Sequence, residues 1–457
     1  GFPQEFDSVG KWAAESGYDQ MSLSHLPVFA DRTGGDFHLQ SQAEEGRWDP
    51  AAQAWTNDPV SSPLIDAGDP DAAFAWEPSP NGGRVNLGRY GNTAEASKTP
   101  TNGALTLISF NDGGRASGTH VWITWLARGA ASNALVTIYF SPQGGASNTW
   151  VELASGVDAS LGYWIWDSTL ADQTVQGVLR IEGSDGSWDE GDSYFSVRNQ
   201  PFHFFVNDTD TNLVNDVYCT APGNNANSGL TNSAPMADLN ALLAKYDLEG
   251  GDIVFVDSGD YRTVAPWRIT QADSAGTLAT NPVVIQGSTN AFPSGTVLYR
   301  SRNPVGIQVD YAVGLQLRNI TVSNTLGTAV SINNSLGVEA EWLAVGQATT
   351  AFQLHGGSRL RVAHCAVYDT ENGIDVGRFD RTLSGMVYPV LEHNVLWNLA
   401  GYGVQVGGDH RATVRNSILS VQPGHYVYEM ASTATLEADY NAVWLGDGGR
   451  VFRRNLP

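Results

Sequence analysis

One short pattern recurs through residues 305–457 at nearly fixed spacing, and few folds can accommodate it. It reads Gly306-Ile307-Gln308-Val309, Ala329-Val330-Ser331-Ile332, Ala351-Phe352-Gln353-Leu354, Gly373-Ile374-Asp375-Val376, Gly403-Val404-Gln405-Val406, Tyr426-Val427-Tyr428-Glu429 and Arg450-Val451-Phe452-Arg453. From Ile307 the steps are 23, 22, 22, 30, 23 and 24 residues. A second alternating segment lies between, at Leu315-Gln316-Leu317, Leu360-Arg361-Val362, Val390-Leu391, Val414-Arg415 and Leu436-Glu437. Strands repeating about every 22 residues with no helix between them fit a coil of stacked turns, in which each short strand pairs in parallel with its successor. The pattern predicts an all-β chain built on a right-handed parallel β-helix. Alternation within each strand points Ile307 and Val309 inward and Gln308 outward. Ile307, Val330, Phe352, Ile374, Val404, Val427 and Val451 are expected to form one inward ladder. Asn319, Asn394, Asn416 and Asn441 fall near the bend after the second strand, where Asn tolerates a left-handed backbone. The competing arrangement is a β-sandwich with evenly spaced strands.

Length and charge set further bounds. A chain of 457 residues suggests two to four domains. The net charge of −23 argues against nucleic-acid binding, which needs a cationic footprint. Lysine occurs only as Lys11, Lys98 and Lys245, and an acidic surface carrying Arg in place of Lys suits an extracellular or cell-surface protein. Cys219 and Cys365 read as two small buried residues more readily than as a bridge. No run approaches the roughly 20 apolar residues of a membrane span. Without an initiator Met or a leader at Gly1, the sequence is expected to be a processed product, a fragment or one unit of a longer chain.

Taken in order, residues 1–98 read as irregular, with a helix from Val9 to Ser16 capped by Asp7-Ser8, carrying Trp12 on its apolar side and ended by Gly17. The pieces "PVFAD", "GDFHL", "SPLIDAGDP" and "RVNLGRYGNT" follow in fixed order. Together they resemble the C-terminal end of β-helix domains in large secreted or surface proteins of environmental bacteria. Residues 101–198 hold seven alternating strands, with Trp122, Trp150 and Trp164 expected inward, the pattern of an immunoglobulin-like or fibronectin-like sandwich. "VTIYFSPQGGASNTWVELASGV" looks like the spacer modules of secreted bacterial and fungal wall proteins, which implies spacing or adhesion. Residues 204–457 open on a segment similar to the N-terminal cap of pectate-lyase-like β-helices. There a helix from about Met236 to Tyr246 would close the coil with Leu239, Leu242 and Leu243.

Chemistry is harder to find. A lyase of this shape needs a Lys or Arg base beside calcium-holding Asp residues, and the rungs from 305 contain no Lys. Neither Asn-Thr-Asp nor Asp-Asp pairs occur there, and Gly424-His425 is followed by Tyr426. The densest charged cluster is Asp375, Arg378, Asp380 and Arg381, in the rung with an eight-residue insertion; a long loop on a regular scaffold can carry a site, although such loops are usually solvated. Calcium has weak candidates in Asp185, Asp189 and Asp192, beside Glu190, and in Asp208 and Asp210, near Asp216; turn capping by these side chains competes. The histidines are scattered and read as outward rung residues.

Two functions from different classes follow. In one, the chain is a structural unit of an extracellular filament or surface array that associates head to tail with copies of itself, joining Pro457 to Gly1 in sense, so that residues 1–98 complete a neighbouring unit and Val451 and Phe452 pack against its Phe6, Trp12 or Phe29. In the other, it is a carbohydrate-active or glycan-binding protein whose partner is an extracellular polysaccharide, with Trp267, Trp342 and Trp397 as sugar platforms.

Overall fold

The computed structural model describes residues 8–16, 18–275, 281–290, 295–377, 387–445 and 447–455. The chain divides into two compact units at Gln200 and Pro201.

The first unit starts with the helix Val9–Ser16. Its cap is Ser8, whose hydroxyl accepts from the Lys11 amide at 3.0 Å, while Asp112 accepts from the Val9 and Gly10 amides at 2.8 and 2.9 Å. Two small hairpins follow, Phe29–Asp31 with Asp36–Leu39 and Arg47–Asp49 with Ala54–Thr56. Two further sheets then enclose a core. One runs Tyr163–Trp166, Val121–Arg128, Ala104–Leu107; the other runs Arg115–Ala116, Phe195–Val197, Thr174–Gly183, Leu135–Ser141, Val151–Asp158, with Trp188–Glu190 added on Thr174–Gly183. Leu107, Ile123 and Trp125 from the first meet Ile138, Phe140, Leu179, Ile181 and Phe195 from the second.

The expected inward tryptophans are corrected here. Trp122 and Trp125 lie three apart on one strand, so they face opposite ways, and Trp125 takes the core, donating its Nε1–H to the Ala159 carbonyl at 2.9 Å. Trp122 is outward, against Tyr163 at 4.9 Å. Trp166 is buried and Trp164 only packs against the core's edge, while Trp150 covers the Arg180 guanidinium at 4.3 Å.

Residues 18–98 pack on the outer side of the first of these sheets, where Leu126 and Arg128 alternate with the core-facing Trp125. The buried Arg128 donates to the carbonyls of Ser62 and Ile65 at 3.2 and 3.0 Å. Asn111 reaches Ser24 at 3.1 Å, and Leu23 and Leu87 pack on Ala67, Ile108 and Leu126.

The second unit is almost entirely parallel β-structure, with large sheets compatible with a parallel β-helix. The chain visits three faces in turn. The first face holds Trp267–Ile269, Val305–Asp310, the start of Thr328–Glu341, Thr350–Ser358, Asn372–Gly377, Val404–Val406, Tyr426–Ala431 and Arg450–Asn455. The second holds His203–Val206, Ile253–Val256, Val283–Gly287, Val313–Arg318, the end of Thr328–Glu341, Arg361–Ala363, Val390–Glu392, Arg411–Arg415 and Thr435–Asp439. The third holds eight strands from Gly259–Arg262 to Ala442–Leu445.

Register confirms most of the inward ladder: Ile307, Val330, Phe352, Ile374 and Val404 are paired in sequence and buried. Beyond Val404 the ladder continues through Tyr428 to Phe452, not through Val427 and Val451. The parity slips because every rung from Ile307 to Tyr428 buries two successive residues, a smaller one and then a larger one, and Val427 fills the smaller position held by Gly403 one rung earlier. That position is tight. A Cβ on Gly373 would stand 2.1 Å from the Gly403 carbonyl.

The bend between second and third faces divides the asparagines into two classes. Asn319 and Asn416 take the left-handed backbone, φ 54° in each, and Trp342, His364, His393 and Tyr440 occupy the same position in other rungs. Asn394 and Asn441 sit one residue later and turn inward. Asn394 accepts from the Cys365 amide at 3.0 Å and donates to the Val362 carbonyl at 2.9 Å; Asn441 makes the same pair of bonds to Ser417 and Val414.

The capping helix is shorter than expected, Leu239–Leu243, because Asp238 caps it through the Asn240 amide at 2.8 Å and Met236 is used instead in a parallel bridge to Val206. Leu239 and Leu242 are fully buried, and both cysteines are free and buried. Among the described residues no helix is long and apolar enough to cross a membrane.

Candidate functional site

The three faces differ in what they present outward. On the second face charges alternate rung by rung: Arg361 contacts Glu341 and lies 3.8 Å from Glu339 and 2.9 Å from Glu392, and Glu392 also takes Arg415 at 2.7 Å. Burial alone would raise the pKa of Glu392, but the hydrogen bonds and charges of the two arginines outweigh it and hold the carboxyl below its ordinary range. This ladder is satisfied within itself.

The first face carries polar side chains linked along the stack. Gln308 donates to Asp310 at 2.7 Å, Asn333 to Asp310 at 3.0 Å and to Ser331 at 3.1 Å, and Ser331 to Gln353 at 3.2 Å. Of the charged cluster read from the sequence, Asp375 stands here, 3.0 Å from His355 Nε2. Arg378, Asp380 and Arg381 lie outside the described residues. Burial, then the charge of Asp375, push the Tyr402 hydroxyl well above its ordinary pKa, so it stays a donor at neutral pH. An imidazole oriented by a carboxylate can move a proton. The pairing of His355 with Asp375 is one that spacing did not reveal, because the partners are 20 residues apart and meet only across a rung.

The third face bears the exposed aromatics. Trp397 and Trp444 are 46% and 54% exposed and stack at 5.5 Å and 17°. Tyr368 is the register partner of Trp397 one rung back, and Gly346 makes room for its ring. Val395 and Ile418 extend the apolar strip. At the adjoining bend Trp342, 59% exposed, stacks on His364 at 4.5 Å, which stacks on His393 at 4.9 Å. Trp267 is corrected: at 1% exposure, edge-on to Tyr261, it belongs to the coil's interior and cannot meet a ligand. Trp444 was legible but passed over; Ala442-Val443-Trp444 repeats the alternation of Val395-Leu396-Trp397.

The acidic loops have local partners. Asp185 accepts from the Ser187 amide and hydroxyl at 3.1 and 2.6 Å, Asp189 from the Leu107 amide at 2.6 Å, and Asp192 from Asn111 at 3.1 Å. Asp208 accepts from the amides of Asp210 and Asp260 at 3.0 and 3.2 Å, Asp210 from Asn212 at 3.0 Å, and Asp216 from the Asn207 side chain at 2.7 Å. Among the described residues no three His, Cys, Asp or Glu side chains converge in a way that could hold a metal ion. The residue that organises this second loop is Asp257, fully buried, whose carboxylate takes the amides of Val217, Tyr218 and Cys219 at 2.7, 2.8 and 2.5 Å. Its only sequence signal is its place after the strand Ile253–Val256.

Of the residues expected between units, Phe6 lies outside the described residues. Trp12 stacks on Tyr18 and donates to Asp19 at 2.8 Å, and Phe29 meets Phe37 edge-on at 5.4 Å. Val451 and Phe452 are 46% and 49% exposed on the strand Arg450–Asn455.

No family model and no curated protein matches the chain. Among solved structures, one described as "Crystal structure of Agl-KA catalytic domain" is similar at 11% identity over 78% of this chain and 89% of that one, with a TM-score of 0.18, too low to bear on fold or function.

Proposed function

We propose that this is an extracellular glycan-binding scaffold, in which a right-handed coil, the hand that parallel crossovers overwhelmingly take, displays a polysaccharide site and an immunoglobulin-like sandwich serves as spacer. The observation that carries this reading is the outward aromatic column Tyr368, Trp397 and Trp444 on the third face. Rings of this size left half in water, on a surface otherwise rich in charge, mark a place where something apolar-faced is meant to lie. The apolar face of a pyranose suits an indole, and a polymer running along the coil, whose rungs are about 4.8 Å apart, would meet a ring on three of four successive rungs, the buried Ser420 standing between Trp397 and Trp444. The net charge of −23 selects against uronate polymers and for neutral ones. Affinity electrophoresis in gels containing neutral β- or α-glucans tests this: the intact chain is retarded, and changing Trp397 and Trp444 together to Ala reduces the retardation several-fold. Equal mobility with and without every neutral polysaccharide would end the proposal.

A second reading, a structural unit of a filament or surface array, rests on the unbroken rung-on-rung stacking from His203 to Asn455, since such stacks are quasi-one-dimensional and extend by addition. Sedimentation across a wide concentration range tests it, growth of long assemblies being the expected outcome and a constant monomer the refuting one.

A further inference from the structure

We infer that the first unit carries a second, separate ligand site, a recess on the outer face of its larger sheet that takes the end of a neutral saccharide. The recess, of about 360 Å³, is lined by Arg180, Glu182, Gly183, Gly186, Ser187 and Trp188. That volume is at the small end of ligand pockets, about 300–1,000 Å³, and suits one or two sugar rings.

The local fold builds it. Thr174–Gly183 and Trp188–Glu190 form a hairpin whose register sets Glu182 opposite Trp188 and Arg180 opposite Glu190. Ile181 between them is fully buried, so these four side chains all point away from the core. Arg180 is fixed before any ligand arrives. Its Nε and Nη2 both donate to Glu190 Oε2, at 2.9 and 2.7 Å, and its guanidinium lies 4.3 Å from the Trp150 ring and 5.7 Å from that of Trp188. Nη1 is 3.6 Å from Glu182, leaving that carboxylate half exposed at the rim. Gly186 lets the turn pass without a side chain, and a Cβ there would point into open space.

The chemistry of the lining selects the ligand. Trp188, 63% exposed, offers a ring face for the C–H face of a pyranose. Beside it Glu182 and the Arg180 Nη1, 3.6 Å apart on one hairpin, offer an acceptor and a donor to neighbouring hydroxyls. Arg180 is already balanced by Glu182 and Glu190, so an anion gains little, while a neutral polyol brings no charge that would need a partner. This site is on a different unit from the aromatic column of the coil and does not depend on it.

The test uses the full chain, titrated with neutral di- to hexasaccharides of glucose, mannose and galactose while following tryptophan fluorescence and heat. The measurement is made in the chain whose Trp397 and Trp444 are both Ala, which removes the column on the coil. We expect that chain to bind at least one series saturably, and adding Trp188→Ala or Glu182→Gln to weaken the binding tenfold or more. Adding Trp122→Ala, an exposed ring on the other sheet, should leave it unchanged. The site is refuted if adding Trp188→Ala leaves binding as it was, if no neutral saccharide binds, or if tetramethylammonium binds in their place. Binding by the parent that is wholly absent once Trp397 and Trp444 are Ala would refute this site while supporting the one on the coil.

Discussion

At the scale of single residues, burial decides what each position tolerates. Phe352 is fully buried and sits mid-ladder between Val330 and Ile374. Phe352→Asp removes its apolar burial and leaves a charge without a partner, and should cost about 3 kcal/mol or more, read from chemical denaturation. The two classes of bend asparagine should separate in the same assay. Asn394→Ala leaves the Cys365 amide and Val362 carbonyl unpaired inside the coil and should cost about 1–3 kcal/mol. Asn416→Gly merely exchanges one residue at home at positive φ for another and should change stability by well under 1 kcal/mol. Asp66 gives a pH signature. Burial pushes its pKa up to about 6, against the opposing pull of a Thr99 hydrogen bond and of Arg128, with Glu77 adding to the rise and Arg84 opposing it. Because the folded value exceeds the unfolded one, the stabilisation present below about pH 4 is lost as pH rises through about 6, an effect on the order of 3 kcal/mol. Asp66→Asn should flatten that stretch of the stability–pH profile; an unchanged profile would mean the carboxyl is ionised throughout.

At the scale of elements, the second face offers a comparison between ion pairs of the same type. Glu392 is nearly buried and shared by two arginines, so Glu392→Gln should destabilise by about 2 kcal/mol, while Arg411→Ala, which breaks the exposed contact with Glu437, should cost less than about 1 kcal/mol. Since Glu392 is held below its ordinary pKa, its contribution is present at neutral pH and lost as pH falls through the folded value. The strands themselves were readable because a period of two within a period near 22 has few structural meanings. The helix Val9–Ser16 was readable from its capping residue Ser8, while the glycine expected to end it lies outside the described residues. What failed was parity wherever two apolar residues of opposite parity on one strand compete for the interior: Trp122 against Trp125, and Val427 against Tyr428. Alternation says that sides alternate, and a strand that buries a small and a large residue in succession carries no mark of which one joins the ladder. The site was less legible than the fold, because His355 meets Asp375, and Arg180 meets Trp150, only through register between strands far apart in sequence.

At the scale of the whole molecule, charge and shape make different demands on a partner. A chain of net charge −23 repels polyuronates at a distance, and the repulsion is screened within about 10 Å at 0.1 M salt. If the aromatic column is the site, a neutral polysaccharide should bind with an affinity nearly indifferent to salt, because stacking and hydrogen bonding carry it. Alginate and pectin should not be retained at low salt, and any weak retention that emerges at high salt should vanish with Trp397 and Trp444. The same preparations, supplied with Ca²⁺, should release no unsaturated or reducing ends from pectin or alginate over long incubation, since the first face presents His355 with Asp375 but no Lys in any rung from 305 onward. Product that appeared and then disappeared on Asp375→Asn or His355→Ala would make the first face an active site and the aromatic column its substrate track. Neutral binding that survives loss of both indoles would instead move the ligand off the third face altogether.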